Sequence, residues 1–306
     1  MKMELQILGS GSAVPTLTRY PTSQVLNIHE NYLLIDCGEG AQMQMRRFGV
    51  KMQRINHIFI SHLHGDHYLG LSGYLQTLHL LGRDKAITIY GPPELEEIIL
   101  SQFRSINAQL RYDIIFKPTQ AKEKELLLEN KLFEVYSFPL RHKIPTTGFY
   151  FVEKKKKRKY LPEKGELHNV PYYWIDRIKQ GADFEKEDGS IVKNEILTSE
   201  ADPSYSYAYC SDTAPFKEIK DHLPSGLDLM YHEASFLNDK LDRAKATLHS
   251  TAEGAGMQAQ LCEVKKLLLG HFSARYTHHQ KFIQDAQIHF KGETLLAEDG
   301  MLISIY

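Results

Sequence analysis

Cysteine is scarce. Cys37, Cys210 and Cys262 are odd in number and far apart in a chain of 306 residues, which excludes a disulfide framework and a thiolate zinc site and fits small buried side chains in a reducing compartment. Long hydrophobic runs are missing too: no stretch approaches the roughly 20 apolar residues of a membrane span. Met1 to Leu8 already alternates like a first strand, which leaves no room for a signal peptide. These absences lead to the expectation of a cytoplasmic protein with no membrane partner. Charge of one sign is likewise lacking, because 37 Lys and Arg nearly cancel 38 Asp and Glu. Global charge therefore gives no support to a nucleic-acid partner, and only a local patch could. With 42% hydrophobic and 25% charged residues, the chain has the composition of an ordinary globular α/β protein with a sizeable core.

What is present is concentrated in Ser61-His62-Leu63-His64-Gly65-Asp66-His67. The apolar centre of Ile55 to Ile60 reads as a buried strand before it, and Leu69, Leu71, Leu75, Leu78 and Leu81 recur at helical spacing after it. Four possible ligands thus crowd a strand-to-helix turn. Imidazole nitrogen with carboxylate oxygen is a donor set for zinc and its first-row neighbours. A polar surface loop would give no reason for this density of ligands.

Further candidates stand at other strand ends. Ser23 to Ile28 and Tyr32 to Asp36 flank His29-Glu30-Asn31 as a hairpin, and a helical stretch ends near Phe48. Asp36 suits a hydrogen bond to a ligand histidine, or equally a turn or helix-cap role. Strands are predicted over 86–90, 110–116 and 132–138, with a helix over 93–103. His142 follows a strand end and precedes Pro145. Asp212 ends the Tyr-rich strand 204–210, and His271 lies just past strand 264–270. Between them, His249-Ser250-Thr251-Ala252-Glu253 reads as a helix start with a capping box from Ser250 to Glu253. His278 and His279 are expected on an exposed helix. Alternating strands and helices imply a layered α/β architecture.

Residues 153–195 break that rhythm. They open with Lys154, Lys155, Lys156, Lys157, Arg158 and Lys159 and contain 11 Lys/Arg against 9 Asp/Glu. The stretch reads as a projecting insertion, and on composition alone a charge run is most often a solvated face.

The His-x-His-x-Asp-His pattern resembles the signature of the metallo-β-lactamase superfamily. Gly9-Ser10-Gly11-Ser12 with Pro15-Thr16, His142 with Ile144-Pro145 and Gly148, Ser211-Asp212-Thr213, and His232-Glu233-Ala234-Ser235 with His249-Ser250-Thr251 narrow it. Together these segments resemble the ribonuclease Z family of tRNA 3′-processing endonucleases, in its short bacterial form. The resemblance implies a single catalytic domain over residues 1–306, a four-layered αββα sandwich, with 153–195 as an inserted flexible arm. It implies two zinc ions, or manganese in their place: His62, His64 and His142 on one, Asp66, His67 and His271 on the other, and Asp212 bridging. Asp66 and His249 would carry proton transfer. Arg19 and the six cations 154–159 would contact precursor tRNA, the latter as an exosite, and the enzyme would be a homodimer that leaves a 3′-hydroxyl on the tRNA. Two departures stand out. The family's Pro-x-Lys-x-Arg-Asn is here Pro15-Thr16-Leu17-Thr18-Arg19-Tyr20, and the arm's Gly-x-Pro is Asn169-Val170-Pro171. Alternatives are a small-molecule phosphodiesterase or ester hydrolase of the same fold, which needs no basic arm, and a nucleic-acid-binding protein without catalysis, which has no chemical reason to keep seven ligands.

Overall fold

Alternation in the first strands sends neighbouring side chains to opposite layers. In the computed structural model, which describes residues 3–306, β1 (Met3–Gly9), β2 (Ser23–Ile28) and β3 (Asn31–Cys37) form antiparallel pairs. Their Leu5, Ile7, Leu26, Leu33 and Ile35 enter one core, while Leu8, Val25 and Leu34 enter another. From β3 the sheet continues in parallel through β4 (Ile55–Phe59), β5 (Ile87–Gly91) and β6 (Ile114–Pro118). The parallel steps require crossovers, supplied by α1 (Ala41–Arg47), α2 (Gly65–Tyr68), α3 (Leu71–Leu80) and α4 (Glu94–Ser105). Tyr74, Leu75, Leu78, Ile99 and Phe103 of these helices cover the outer face of the sheet.

A second sheet repeats the plan. β7 (Glu125–Glu129), β8 (Phe133–Leu140) and β9 (Thr146–Glu153) lead to β14 (Ser206–Cys210), β15 (Leu229–Glu233), β16 (Lys266–Gly270) and β17 (Glu293–Leu296), and β18 (Leu302–Ser304) returns to pair with β1. Phe149, Phe151, Tyr207, Tyr209 and Tyr231 meet the first sheet's side chains in the shared core. The opposite face is covered by α8 (Ile219–His222), α10 (Ala252–Leu261) and α11 (Gln280–Ala286). The layers are therefore helix, sheet, sheet and helix, the αββα sandwich expected.

Three local expectations need correction. The strand predicted over 110–116 begins only at Ile114, because the preceding turn places the Tyr112 hydroxyl on the Leu75 carbonyl at 2.7 Å. The helix cap is Thr251, whose Oγ1 accepts from Gly254 N at 3.2 Å, whereas Ser250 Oγ donates to Thr213 O and Glu253 reaches His289. His278 and His279 precede α11 rather than lying on it; His278 is exposed as expected, whereas His279 is half-buried and packs on Phe272 at 4.6 Å between ring centroids.

The chain divides into two compact units, one comprising residues up to Val152 together with Tyr205–Tyr306, the other Glu153–Ser204. The smaller unit has a core of its own, built from Ile178, Phe184, Val192 and Leu197. Its antiparallel pairs are β10 (Lys159–Tyr160) with β13 (Thr198–Ser199) and β11 (Phe184–Glu185) with β12 (Ile191–Val192). Short helices α5 (Pro162–Leu167), α6 (Ile175–Lys179) and α7 (Asn194–Leu197) fill the rest. At the segment lacking the family's glycine, Asn169 itself takes a left-handed φ of 53°, a conformation that Asn tolerates better than most residues.

The loop after β3 lies directly against the turn that carries the histidines. Gly70 N donates to Cys37 O at 2.9 Å, and a Cβ on Gly70 would fall 2.1 Å from Gly38 O. A Cβ on Gly38 would in turn meet the Asp66 carbonyl at 2.5 Å. Gly70→Ala is therefore expected to destabilise the fold by about 1–3 kcal/mol, the usual cost of overpacking, read as a lower denaturation midpoint.

Candidate metal centre

Asp36 and Glu233 lie in the last two residues of β3 and β15, while the His62–His67 turn, His142, Asp212 and His271 follow the ends of β4, β8, β14 and β16. His62 Nε2 stands 3.1 Å from His64 Nδ1, which is 3.3 Å from His142 Nε2. Asp212 Oδ2 faces this group, 3.5 Å from His62 Nε2 and 3.8 Å from His142 Nε2. The other oxygen of Asp212 faces a different group: Oδ1 is 3.5 Å from His67 Nε2 and 3.1 Å from His271 Nε2. Asp66 Oδ2 completes the second group at 3.4 Å from His67 and 3.2 Å from His271. Within each group one ligand atom per residue lies within 4.8 Å of all the others.

The donor set fits divalent cations. His67 Nε2 and Asp212 Oδ1 are buried without a hydrogen-bond partner, an arrangement that costs free energy unless something else binds there. Burial pushes His62 down to about 4 and also lowers His64 and His142, so these imidazoles are neutral, the form that ligates metal. Around His67, burial opposes protonation, but Asp66, Asp212 and Asp36 raise its pKa well above the ordinary value. Burial likewise opposes ionisation of Asp66 and Asp212, and the neighbouring histidines still hold both well below the carboxylate range. Several buried carboxylates around one ring favour positive charge there, which a bound divalent cation would supply in place of the proton.

A second ring of groups fixes these rings. Asp36 Oδ2 accepts from His67 Nδ1 at 2.7 Å and from the Tyr209 hydroxyl at 2.6 Å, while its Oδ1 accepts from Ser61 N at 2.7 Å. Of the two roles open to Asp36, the structure shows the hydrogen bond to a histidine. Leu248 O is 2.9 Å from His142 Nδ1, and Ser235 Oγ is 2.9 Å from His271 Nδ1. Asp36, Leu248 and His271 all have left-handed φ, at 52°, 54° and 58°. Such strain in non-glycine residues persists where surrounding structure holds it, often at functional sites.

His249 stands beside the cluster with Nε2 4.0 Å from Asp212 Oδ2 and Nδ1 2.7 Å from Glu233 Oε1. Glu233 is the residue whose role escaped the sequence reading. It is fully buried and also accepts from Thr213 N, Ser250 N and Ser235 N at 2.9 to 3.1 Å. The available signal was an acid at a strand end, the same feature that singled out Asp36 and Asp212. Burial favours neutral His249, but the Glu233 carboxylate outweighs it and, with Asp212, raises the pKa to about 9. An open cavity of about 640 Å³ leads to the cluster, with Arg243 and Arg275 among its lining residues.

Most of the cations nominated from the sequence are engaged within the protein. Arg19 Nη1 donates to Ser10 Oγ at 2.5 Å and to Ala297 O at 2.6 Å, with its guanidinium 4.9 Å from the Phe272 ring centre. In the smaller unit, Lys156 pairs with Glu153, Lys157 with Asp176, Arg158 with Glu200 and Lys159 with Asp202.

Relatives agree with this architecture over its whole length. The ribonuclease Z of Bacteroides thetaiotaomicron is 44% identical over 304 residues, covering 99% of this chain and 96% of that protein. That of Porphyromonas gingivalis is 40% identical, with 98% of each chain covered. Among solved structures, the short form of human tRNase Z superposes with a TM-score of 0.72 at 28% identity, covering 99% of this chain and 100% of its own. The metallo-β-lactamase fold protein YhfI of Bacillus subtilis, 18% identical, shares the fold with a TM-score of 0.68, covering 99% of this chain and 100% of its own. A family model described as anti-Pycsar protein Apyc1 matches residues 3–153. Identity above 40% along nearly the full chain, on a metallo-β-lactamase fold, establishes that this protein belongs to the ribonuclease Z family.

Proposed function

We infer that the protein is a metal-dependent endoribonuclease that removes the 3′ trailer of precursor tRNA and leaves a 3′-hydroxyl on the tRNA. The observation that carries this reading is the Asp212 carboxylate, which turns one oxygen to each of two histidine groups. His62, His64 and His142 would hold one zinc ion, Asp66, His67 and His271 the other, with Asp212 between. Such a pair supplies a water of lowered pKa and neutralises charge on the phosphoryl oxygens.

The chain's own groups do the rest. Asp66 is ionised and reaches into the cluster, so it orients the attacking water and accepts its proton. The water oxygen forms the new bond to phosphorus as the bond to the ribose O3′ breaks, and O3′ takes the proton of His249 Nε2. Glu233 holds His249 from the other side through Nδ1, which keeps Nε2 aimed at the cluster. Asp36 fixes the tautomer of His67 in the same manner. The smaller unit serves as the exosite for the tRNA body in this reading. Because most of its basic run is paired with acids, exposed Tyr172 and Tyr173 add stacking surface to its charge. No helix among the described residues is long and apolar enough to cross a membrane, and the reading extends to a cytoplasmic homodimer.

Incubation with precursor tRNA and with a small chromogenic phosphodiester tests the reading. Cleavage at the trailer junction, abolished by a chelator and restored by zinc, is expected. Hydrolysis of the small diester alone would instead favour a small-molecule phosphodiesterase. His249→Ala should lower turnover by roughly 10²–10⁴-fold with bound metal nearly intact. Protonated His249 is the active form and is lost as pH rises through about 9. Glu233→Gln removes the carboxylate that raises this pKa, so the alkaline limb of the pH–rate profile should move to lower pH.

A further inference from the structure

A second cavity, of about 500 Å³, shares His249 with the metal-centre cavity. None of the proposed metal ligands lines it. Its size lies within the roughly 300–1,000 Å³ usual for small-ligand pockets, room for one nucleotide. Leu241, Leu248 and Met257 give it an apolar wall, and Leu241 and Met257 are 41% and 48% exposed. Arg141 and Lys245 also line it. Neither cationic side chain has a hydrogen-bond or ion-pair partner among the described residues, unlike most of the basic run in the smaller unit. The cavity's one carboxylate, Glu253, is already engaged by His289 Nε2 at 2.8 Å and by Asn238. The result is an apolar wall beside two free positive charges, which complements a base joined to a phosphate.

The reaction fixes which nucleotide can lie there. His249 gives its proton to O3′, so the ribose bearing that oxygen sits against the imidazole. The cavity continuing from that imidazole, away from the ligands, then receives the nucleotide to which the ribose belongs. We propose that this cavity is the subsite for the last nucleotide retained on the tRNA, with its base against Leu241, Leu248 and Met257 and its 5′-phosphate on Arg141 and Lys245. Chemically, the site recognises a nucleoside 5′-phosphate within an RNA strand. The assignment rests on the endonuclease reading above and adds to it a position for the product-side nucleotide.

The full-length, zinc-loaded enzyme is tested on precursor tRNA and on bis(p-nitrophenyl) phosphate, which is too small to span both cavities. In an Arg141→Gln/Lys245→Gln variant, the ratio of kcat/KM for precursor tRNA to that for the small diester should fall about ten-fold or more, as expected when charged hydrogen bonds are removed. The slope of log affinity against log salt should flatten by about one for each phosphate that the variant no longer neutralises. A Met257→Glu variant, altered at a half-exposed position, should lose activity on precursor tRNA. That loss should vanish when the last retained nucleotide is abasic and persist when the first trailer nucleotide is abasic instead. The opposite abasic pattern, or an unchanged ratio in the double variant, overturns the subsite while leaving the endonuclease reading in place. A wild-type enzyme that cleaves no precursor tRNA overturns both.

Discussion

Everything at the functional edge depends on carboxylates buried within hydrogen-bonding distance of imidazoles. Asp36, Asp66, Asp212 and Glu233 are all nearly inaccessible to water, and each faces at least one histidine. Unpaired, any one of them would be costly in this environment. The fold accommodates the set by ending many strands of two sheets on the same edge and by holding Asp36, Leu248 and His271 in left-handed backbone conformations. Two consequences follow from one cause: the cluster attracts divalent cations, and Glu233 keeps a proton on His249 at neutral pH.

The charge of the smaller unit illustrates how a sequence pattern changes meaning on folding. Six consecutive cations read as a strongly positive patch, but most of them meet Glu153, Asp176, Glu200 and Asp202 within their own unit. The exposed pairs among them contribute little to stability, yet all four reduce the charge offered to a polyanion. Arg141, Lys245 and Arg243, which no pattern singled out, are instead gathered around the catalytic edge by the tertiary fold. The pairing of a cation is therefore decided by its place in the fold and not by its neighbours in sequence.

Much of the fold was legible because its strands are short, apolar and separated by turn residues. β2, β3, β4, β5, β14 and β16 lie within a residue or two of where periodicity put them. β9 was not visible: it is buried on both faces, so it does not alternate, and it opens with Thr146-Thr147-Gly148, which reads as a turn. Of the candidate ligands, those from His62 to His67 stood out in the sequence by density alone. His142, Asp212 and His271 stood out only as polar residues at strand ends, and it was the family resemblance that assigned them to two groups. Glu233 shared that feature and was passed over, because its function lies in holding His249, a contact across 16 residues that no spacing rule encodes.

The central claim is that Asp212 joins two metal sites through its separate oxygens. Elemental analysis of purified protein after zinc loading tests it most directly. About two zinc equivalents per chain are expected for the natural sequence, close to one for His142→Ala, and a loss at both sites for Asp212→Ala. An Asp212→Ala protein that stays folded and still binds two equivalents would contradict the account.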